Sequence, residues 1–311
     1  MPVNPVNPSP TAPTKAKTVA GSLALLRRLE WKVNHAVHNL LGGEYRSVFR
    51  GRGMEFDQVV KYNFGDDIRD IDWNVTAKLG DAYRKKFIEE RELTVIIVIE
   101  DTLSLQFGSG VRTKRDALFE IASLLMLLAS NNRDRVGVLH TYPGGYKLTQ
   151  PVRGHGLILR AAADLISRPA PDFVEGAPVP TPWRIASQVA PPHSMLVWLG
   201  DFPPRPPPDG WMLIRQRYQP IAFRVEDPWE RDFPVNRAVT TYDPVNRRLV
   251  VLDPHSSAHR KAHADWIDER EAGFVKLFPE KQSRMVVSPD DSMIEALVKF
   301  FYAHMRARTR R

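Results

Sequence analysis

The chain has 311 residues, no cysteine, and 44 Lys and Arg against 36 Asp and Glu, a formal charge of +8. That length gives room for one or two domains with a real core, and 43% hydrophobic with 26% charged residues is a globular composition. Without cysteine there is no disulfide scaffold, thiolate nucleophile, Cys-ligated zinc or iron–sulfur cluster. The same absence fits a reducing compartment, so a cytoplasmic location is expected. The positive charge opens three classes of partner: nucleic acid, an anionic membrane surface or an acidic protein.

Residues 1–19 carry five prolines before Lys15 and read as a disordered Pro-rich tail rather than a signal peptide. Ser22–Asn39 places Leu23, Leu26, Leu29, Val33 and Val37 near a 3.6-residue period, which predicts an amphipathic helix with Ser22 as N-cap. From Glu44 to Glu92, eleven acidic and ten basic residues interleave with few aliphatics, so this segment cannot build a large core alone. It is expected as loops, short strands and a turn of helix lying against something else. The organisation is thus 1–19 tail, 20–92 helix and charge-rich segment, 93–305 main domain and 306–311 basic tail.

The main domain opens on Leu93–Ile99, a β-branched run expected of a strand buried on both faces of a parallel sheet. Helix Thr113–Ser130, strand Arg135–His140, a short return Gly145–Leu148 and helix Leu157–Ser167 follow. Strands Met195–Asp201, Pro220–Val225 and Arg248–Leu252, helix His255–Phe278, strand Arg284–Val287 and helix Ser292–Arg306 complete the pattern. Strands alternating with helices predict an α/β, doubly wound, mostly parallel sheet, with ligands beyond the carboxyl ends of its strands. No stretch approaches the ~18 apolar residues of a membrane span.

A buried strand ending in Glu100-Asp101-Thr102-Leu103-Ser104, and a later one ending in Asp201, resemble the adhesion site of a von Willebrand factor A domain. The flanking sequence resembles a bacterial family called domain of unknown function 58. The residues carrying that likeness are Gly53, Glu55, Phe56, Tyr62, and Gly65, Asp66, Asp67, Arg69, Asp72 and Trp73 within Gly65–Asn74. Lys86-Phe87, Asp134–Gly137 and Asp227–Glu230 add to it. The resemblance covers roughly residues 40–305. It implies a von Willebrand A-like fold, no established catalytic activity, and a partner of the MoxR-type AAA+ ATPase class. It also implies that Glu100, Thr102, Ser104 and Asp201 are the site, holding Mg²⁺ or another divalent cation if the site is live. Glu100 stands where the family has Asp, which moves the carboxylate, and Mg²⁺ tolerates poor octahedral geometry badly. Thr149, in the stretch Thr149–His155, is the candidate for the third adhesion loop. The other reading is a degenerate site whose oxygens satisfy loop N–H groups.

Other constellations offer alternatives. Asp66, Asp67, Asp70 and Asp72 could serve a metal-dependent hydrolase, or could cap a short helix, with Asp66 as its N-cap, and pair with Arg69, Lys78, Arg84 and Arg52. Asp70-x-Asp72-x-Asn74 mimics a calcium loop, but Val75 replaces the required Gly. His255, His259 and His263 share a helical spacing that fits zinc or a solvated face. Gly51-Arg52-Gly53 lacks the strand and helix of a nucleotide-binding loop. The Pro203–Pro208 stretch reads either as a stiff partner surface or as a lead-in to the next helix. A non-enzymatic adaptor is the first expectation. The hydrolase, and a protein binding an anionic membrane or nucleic acid through basic termini, are the alternatives.

Overall fold

The computed structural model describes residues 19–36, 54–89, 93–172, 183–192, 194–232, 238–243 and 248–309. Its central feature is a six-stranded sheet. In chain order its strands are β3 (Thr94–Glu100), β4 (Arg135–Tyr142), β5 (Gly145–Val152), β6 (Met195–Gly200), β7 (Gln219–Val225) and β10 (Arg284–Val287). The numbering leaves β1 (Met54–Lys61) paired with β2 (Tyr83–Glu89), and β8 (Val239–Asp243) paired with β9 (Arg248–Leu252), as two separate antiparallel ribbons. Across the main sheet the order is β5-β4-β3-β6-β7-β10, parallel throughout except for β5 on the edge.

Strand β3 shows why the sequence folds this way. All of its residues are buried, and alternate side chains serve opposite faces. Val95, Ile97 and Ile99 join one core with Leu118, Ile121 and Leu125 of α3 (Lys114–Asn131), while Ile96 and Val98 join a second. At about 1.5–3 kcal/mol for each fully buried aliphatic side chain, this strand anchors both layers. The first core also takes α1 (Val19–Ala36), α4 (His155–Ser167) and α9 (Met293–Thr309). The second is aromatic: Trp198 and Phe202 pack with Trp183 of α5 (Trp183–Val189), Trp211 of α6 (Trp211–Arg217) and Phe274 of α8 (Ser257–Leu277). These layers and this strand order make the expected von Willebrand A-like α/β fold.

Some local expectations change. Helix α1 starts at Val19, so Ser22 is a buried residue inside it and not its N-cap; residues 37–39 lie outside the described residues. Arg248–Leu252 is a strand, but it pairs only with β8 and does not extend the main sheet. Its side chains are half-buried or exposed, so it has no need of a layer on each face. The short helices α5 and α6 were not legible as elements. The last helix runs on to Thr309, which carries Arg306 and Arg308 on a helix.

The charge-rich segment forms the β1–β2 ribbon and its connection. That connection holds a 3-10 turn at Ile68–Asp70 and α2 (Trp73–Leu79). It folds back on the ribbon through Tyr62 N–H to Ala82 O and Asp72 N–H to Tyr83 O, both 2.8 Å. Gly65 at φ +103 and Gly80 at φ +80 supply left-handed turns that other residues adopt at a cost.

Candidate functional site

The strand order reverses direction between β3 and β6, and open α/β sheets bind ligands at that switch point. These neighbours run in parallel register, Ile99 opposite Leu199, so Glu100 and Asp201 emerge side by side at the carboxyl edge. After Glu100 the chain enters a 3-10 turn at Leu103–Gln106, which swings Thr102 and Ser104 toward the same point. The two hydroxyls lie 2.8 Å apart. Thr102 Oγ1 is 3.4 Å from Asp201 Oδ1, and Ser104 Oγ donates to Asp201 Oδ2. Glu100, Thr102, Ser104 and Asp201 are therefore gathered at one edge.

Three cations close on the same cluster. Lys114, the first residue of α3, is fully buried; its ammonium pairs with Glu230 and lies 3.7 Å from Asp201 Oδ2. Arg205 grips Glu100 with both terminal nitrogens, one at 2.6 Å, while its guanidinium lies 5.3 Å from the Trp198 ring centroid. Arg270 of α8 donates twice to the Asp201 carbonyl, at 3.0 and 2.5 Å, and reaches Glu230 at 3.4 Å. Glu230 is itself fixed at the start of α7 (Pro228–Arg231), where it and Asp227 form a capping box. Buried Asp227 also accepts the Ser109 N–H at 2.8 Å. Burial alone would raise the Asp201 carboxyl's pKa; Lys114, the Ser104 hydroxyl, Arg270 and Arg205 outweigh that and hold it below its ordinary value.

The fold family implies a divalent cation on these oxygens, and the residues present do not fit one. Glu100 and Asp201 already face an arginine and a buried lysine, so a divalent ion would enter a cluster neutralised by its own side chains. The Lys114 ammonium, 3.7 Å from Asp201 Oδ2, would repel such an ion directly. Nor does Thr149 complete an adhesion site. It sits opposite Val138 inside antiparallel β5, which carries the chain from Gly145 at the carboxyl edge toward the far end of the sheet. Four residues at ~3.4 Å each set it more than ~13 Å from that edge.

Asp101, one residue after Glu100, points into a different network. It is fully buried, accepts Arg115 Nε at 3.0 and 2.9 Å, and lies 2.8 Å from His140 Nε2. Arg168 can only donate, and its Nη1 is 2.8 Å from His140 Nδ1, so the imidazole proton sits on Nε2 and points at Asp101. Burial pushes the His140 pKa down, only partly opposed by Asp101, so the ring is neutral. This network ties β3, β4 and the start of α3 beneath the edge.

The hallmark carboxylates spread out instead of converging. Asp66 pairs with Arg84 at 2.8 Å and takes the Asn63 N–H, while the Tyr62 hydroxyl donates to the Asp66 carbonyl. Asp67 caps the 3-10 turn through the Arg69 N–H, and Asp72 caps α2 through Asn74 and Val75. Among the described residues no three His, Asp or Glu side chains are placed to hold a metal ion. Glu55 and Phe56 lie on β1, opposite Ile88 and Phe87, whereas Gly51, Arg52 and Gly53 lie outside the described residues. Phe64, Ile68, Trp73 and Leu79 are all exposed.

The histidine stripe is also undone. His255 precedes α8, His259 Nδ1 accepts the Asp253 N–H at 3.2 Å, and His263 Nε2 donates to the Glu230 carbonyl at 2.9 Å. The Pro203–Pro208 stretch leads into α6, with Arg205 turned inward at its middle. As members of the edge site, Lys114, Arg205, Glu230 and Arg270 escaped the sequence reading, Glu230 having been read only as part of the family element Asp227–Glu230. One signal was there for Lys114: a cation in the first turn of a helix opposes the macrodipole unless a carboxylate faces it.

The family model described as Protein of unknown function DUF58 matches residues 58–272. The chain belongs to this family. Uncharacterized proteins Rv1480 of Mycobacterium tuberculosis and Mb1516 of Mycobacterium bovis are each 29% identical to it over 220 residues, covering 68% of this chain and 67% of theirs. Among solved structures it is similar to BatB from Bacteroides thetaiotaomicron, at 11% identity and a TM-score of 0.43 over 69% of this chain and 99% of that one. It is similar also to the SpRpn10 VWA domain, at 13% identity and a TM-score of 0.37 over 67% and 94%. For this DUF58 chain, the family element Asp134–Gly137 acquires a physical role. Asp134 accepts the Leu93 N–H at 3.1 Å, and the Arg135 N–H binds the Leu93 carbonyl at 2.9 Å, which sets the β3–β4 register. No helix among the described residues is long and apolar enough to cross a membrane.

Proposed function

We propose that this DUF58 protein works by binding another protein rather than by catalysis, as a cytoplasmic adaptor whose partner is a MoxR-type AAA+ ATPase. The observation that carries the reading is the chemistry offered at the switch point: the half-buried hydroxyls of Thr102 and Ser104 beside a guanidinium, Arg205, that is about a quarter exposed. The two hydroxyls are engaged with each other and with Asp201, but each terminal nitrogen of Arg205 keeps a second N–H beyond the one given to Glu100, and a carboxylate of the partner is the group that complements it. A nucleophile paired with a free general base is not among the groups gathered there.

The exposed Phe64, Ile68, Trp73 and Leu79 support the same reading from the hallmark segment. Large apolar side chains clustered along a short stretch mark contact surface when no core covers them. The test is capture of the purified ATPase by the full chain and by a Thr102→Val/Ser104→Ala/Arg205→Glu variant. The variant is expected to lose capture, and equal capture by both would end the sheet-edge reading.

A further inference from the structure

We infer that the sheet-edge site of this protein carries its own cations, Lys114 and Arg205, in the place where the fold would otherwise put a divalent metal, and that it works without metal. The inference goes beyond the adaptor reading and does not depend on any partner.

Burial is the first argument. Glu100 is fully buried and Asp201 nearly so, and a lysine at zero exposure is rare unless it is paired. Lys114 is held by two carboxylates, Asp201 after β6 and Glu230 in α7 after β7, as a bound ion would be. The charges also close: Glu100, Asp201 and Glu230 face Lys114, Arg205 and Arg270.

The second argument is how Arg205 is delivered. It sits in Phe202-Pro203-Pro204-Arg205-Pro206-Pro207-Pro208, where the proline rings fix φ and restrict the residues before them. Such a loop loses little freedom on holding one side chain in place. The longer Glu100 side chain, which departs from the family's Asp, is the partner that a two-pronged guanidinium takes. The substitution that disfavours a metal is thus the one that accommodates the arginine.

The test uses the full chain and Mn²⁺ and Mg²⁺ alone, read by isothermal titration and by the melting temperature with and without chelator. The wild type is expected to give no binding heat and an unchanged melting temperature. Arg205→Ala, which leaves Glu100 unpaired, and Arg205→Ala/Lys114→Met are expected to bind Mn²⁺ about tenfold or more tightly than the wild type. They are also expected to melt at higher temperature when it is present. Stoichiometric metal binding by the wild type, lost in Asp201→Asn, would overturn the inference. So would variants as silent as the wild type, because the two cations would then not stand where a metal can. Partner capture plays no part in these readouts, so the adaptor reading and this one fail separately.

Discussion

Removing the Lys114 ammonium tests the electrostatic logic of the edge most directly. Lys114→Met keeps much of the stem's volume in its buried slot and deletes only the charge. Asp201 then loses the cation 3.7 Å from its Oδ2, and Glu230 loses its closest partner. Arg270 remains, but it reaches Glu230 at 3.4 Å and Asp201 only through the backbone carbonyl. Taking one partner from a buried ion pair costs about 3–5 kcal/mol. Glu230 keeps 19% side-chain exposure and can partly rehydrate, which draws the value toward the lower end, about 3 kcal/mol. For a domain of this size about 2–4 °C accompanies each kcal/mol, so the melting temperature should fall by about 6–12 °C. Circular dichroism melts, paired with urea unfolding at constant slope, measure it. Adding Glu230→Gln should return part of the loss, because the two residues couple by about 0.5–3 kcal/mol. A Lys114→Met protein as stable as the wild type would refute the claim that this ammonium neutralises the cluster.

Acid sensitivity should have two origins. His140 is neutral in the fold with its pKa below 6.5, so the unfolded chain takes up the proton first and stability falls as pH drops below that value. His140→Gln should flatten that limb of a urea-stability profile measured on both sides of pH 6.5. Asp201 has a folded pKa below 3.8, so its contribution is present above that pH and is lost on further acidification; Lys114→Met should shrink this second limb. In β4, a Cβ on Gly137 would sit 2.9 Å from Ile96 Cδ1 and 3.2 Å from Pro151 Cγ. Gly137→Val should therefore cost about 1–3 kcal/mol by overpacking, read in the same melts. Trp73→Ser, at 67% exposure, should leave the melting temperature nearly unchanged while weakening ATPase capture; unaltered capture would remove the hallmark face from the interface.

Much of this was legible along the chain because it is local. The β-branched run at Val95–Ile99 and the apolar run of helix α3 are properties of neighbouring residues. So the alternation of strands and helices, the doubly wound class and the Glu100-x-Thr102-x-Ser104 edge could all be read before any contact was known. The likeness of Gly65–Asn74 to its family was legible for the same reason.

What the sequence could not show was which charges meet. Glu100 and Arg205 are 105 positions apart, and Lys114 and Glu230 are 116 apart. No periodicity links residues at such distances; the adjacency of β3, β6 and β7 in the sheet, with α3 and α7 at its carboxyl edge, brings them together. Read alone, the sequence determined a von Willebrand A-like sheet and the four oxygen-bearing residues at its edge. The tertiary structure decided that those oxygens face lysine and arginine. A buried carboxylate must be compensated by a cation or by hydrogen-bond donors, and for Glu100, Asp201 and Glu230 this fold supplies cations from distant parts of the same chain.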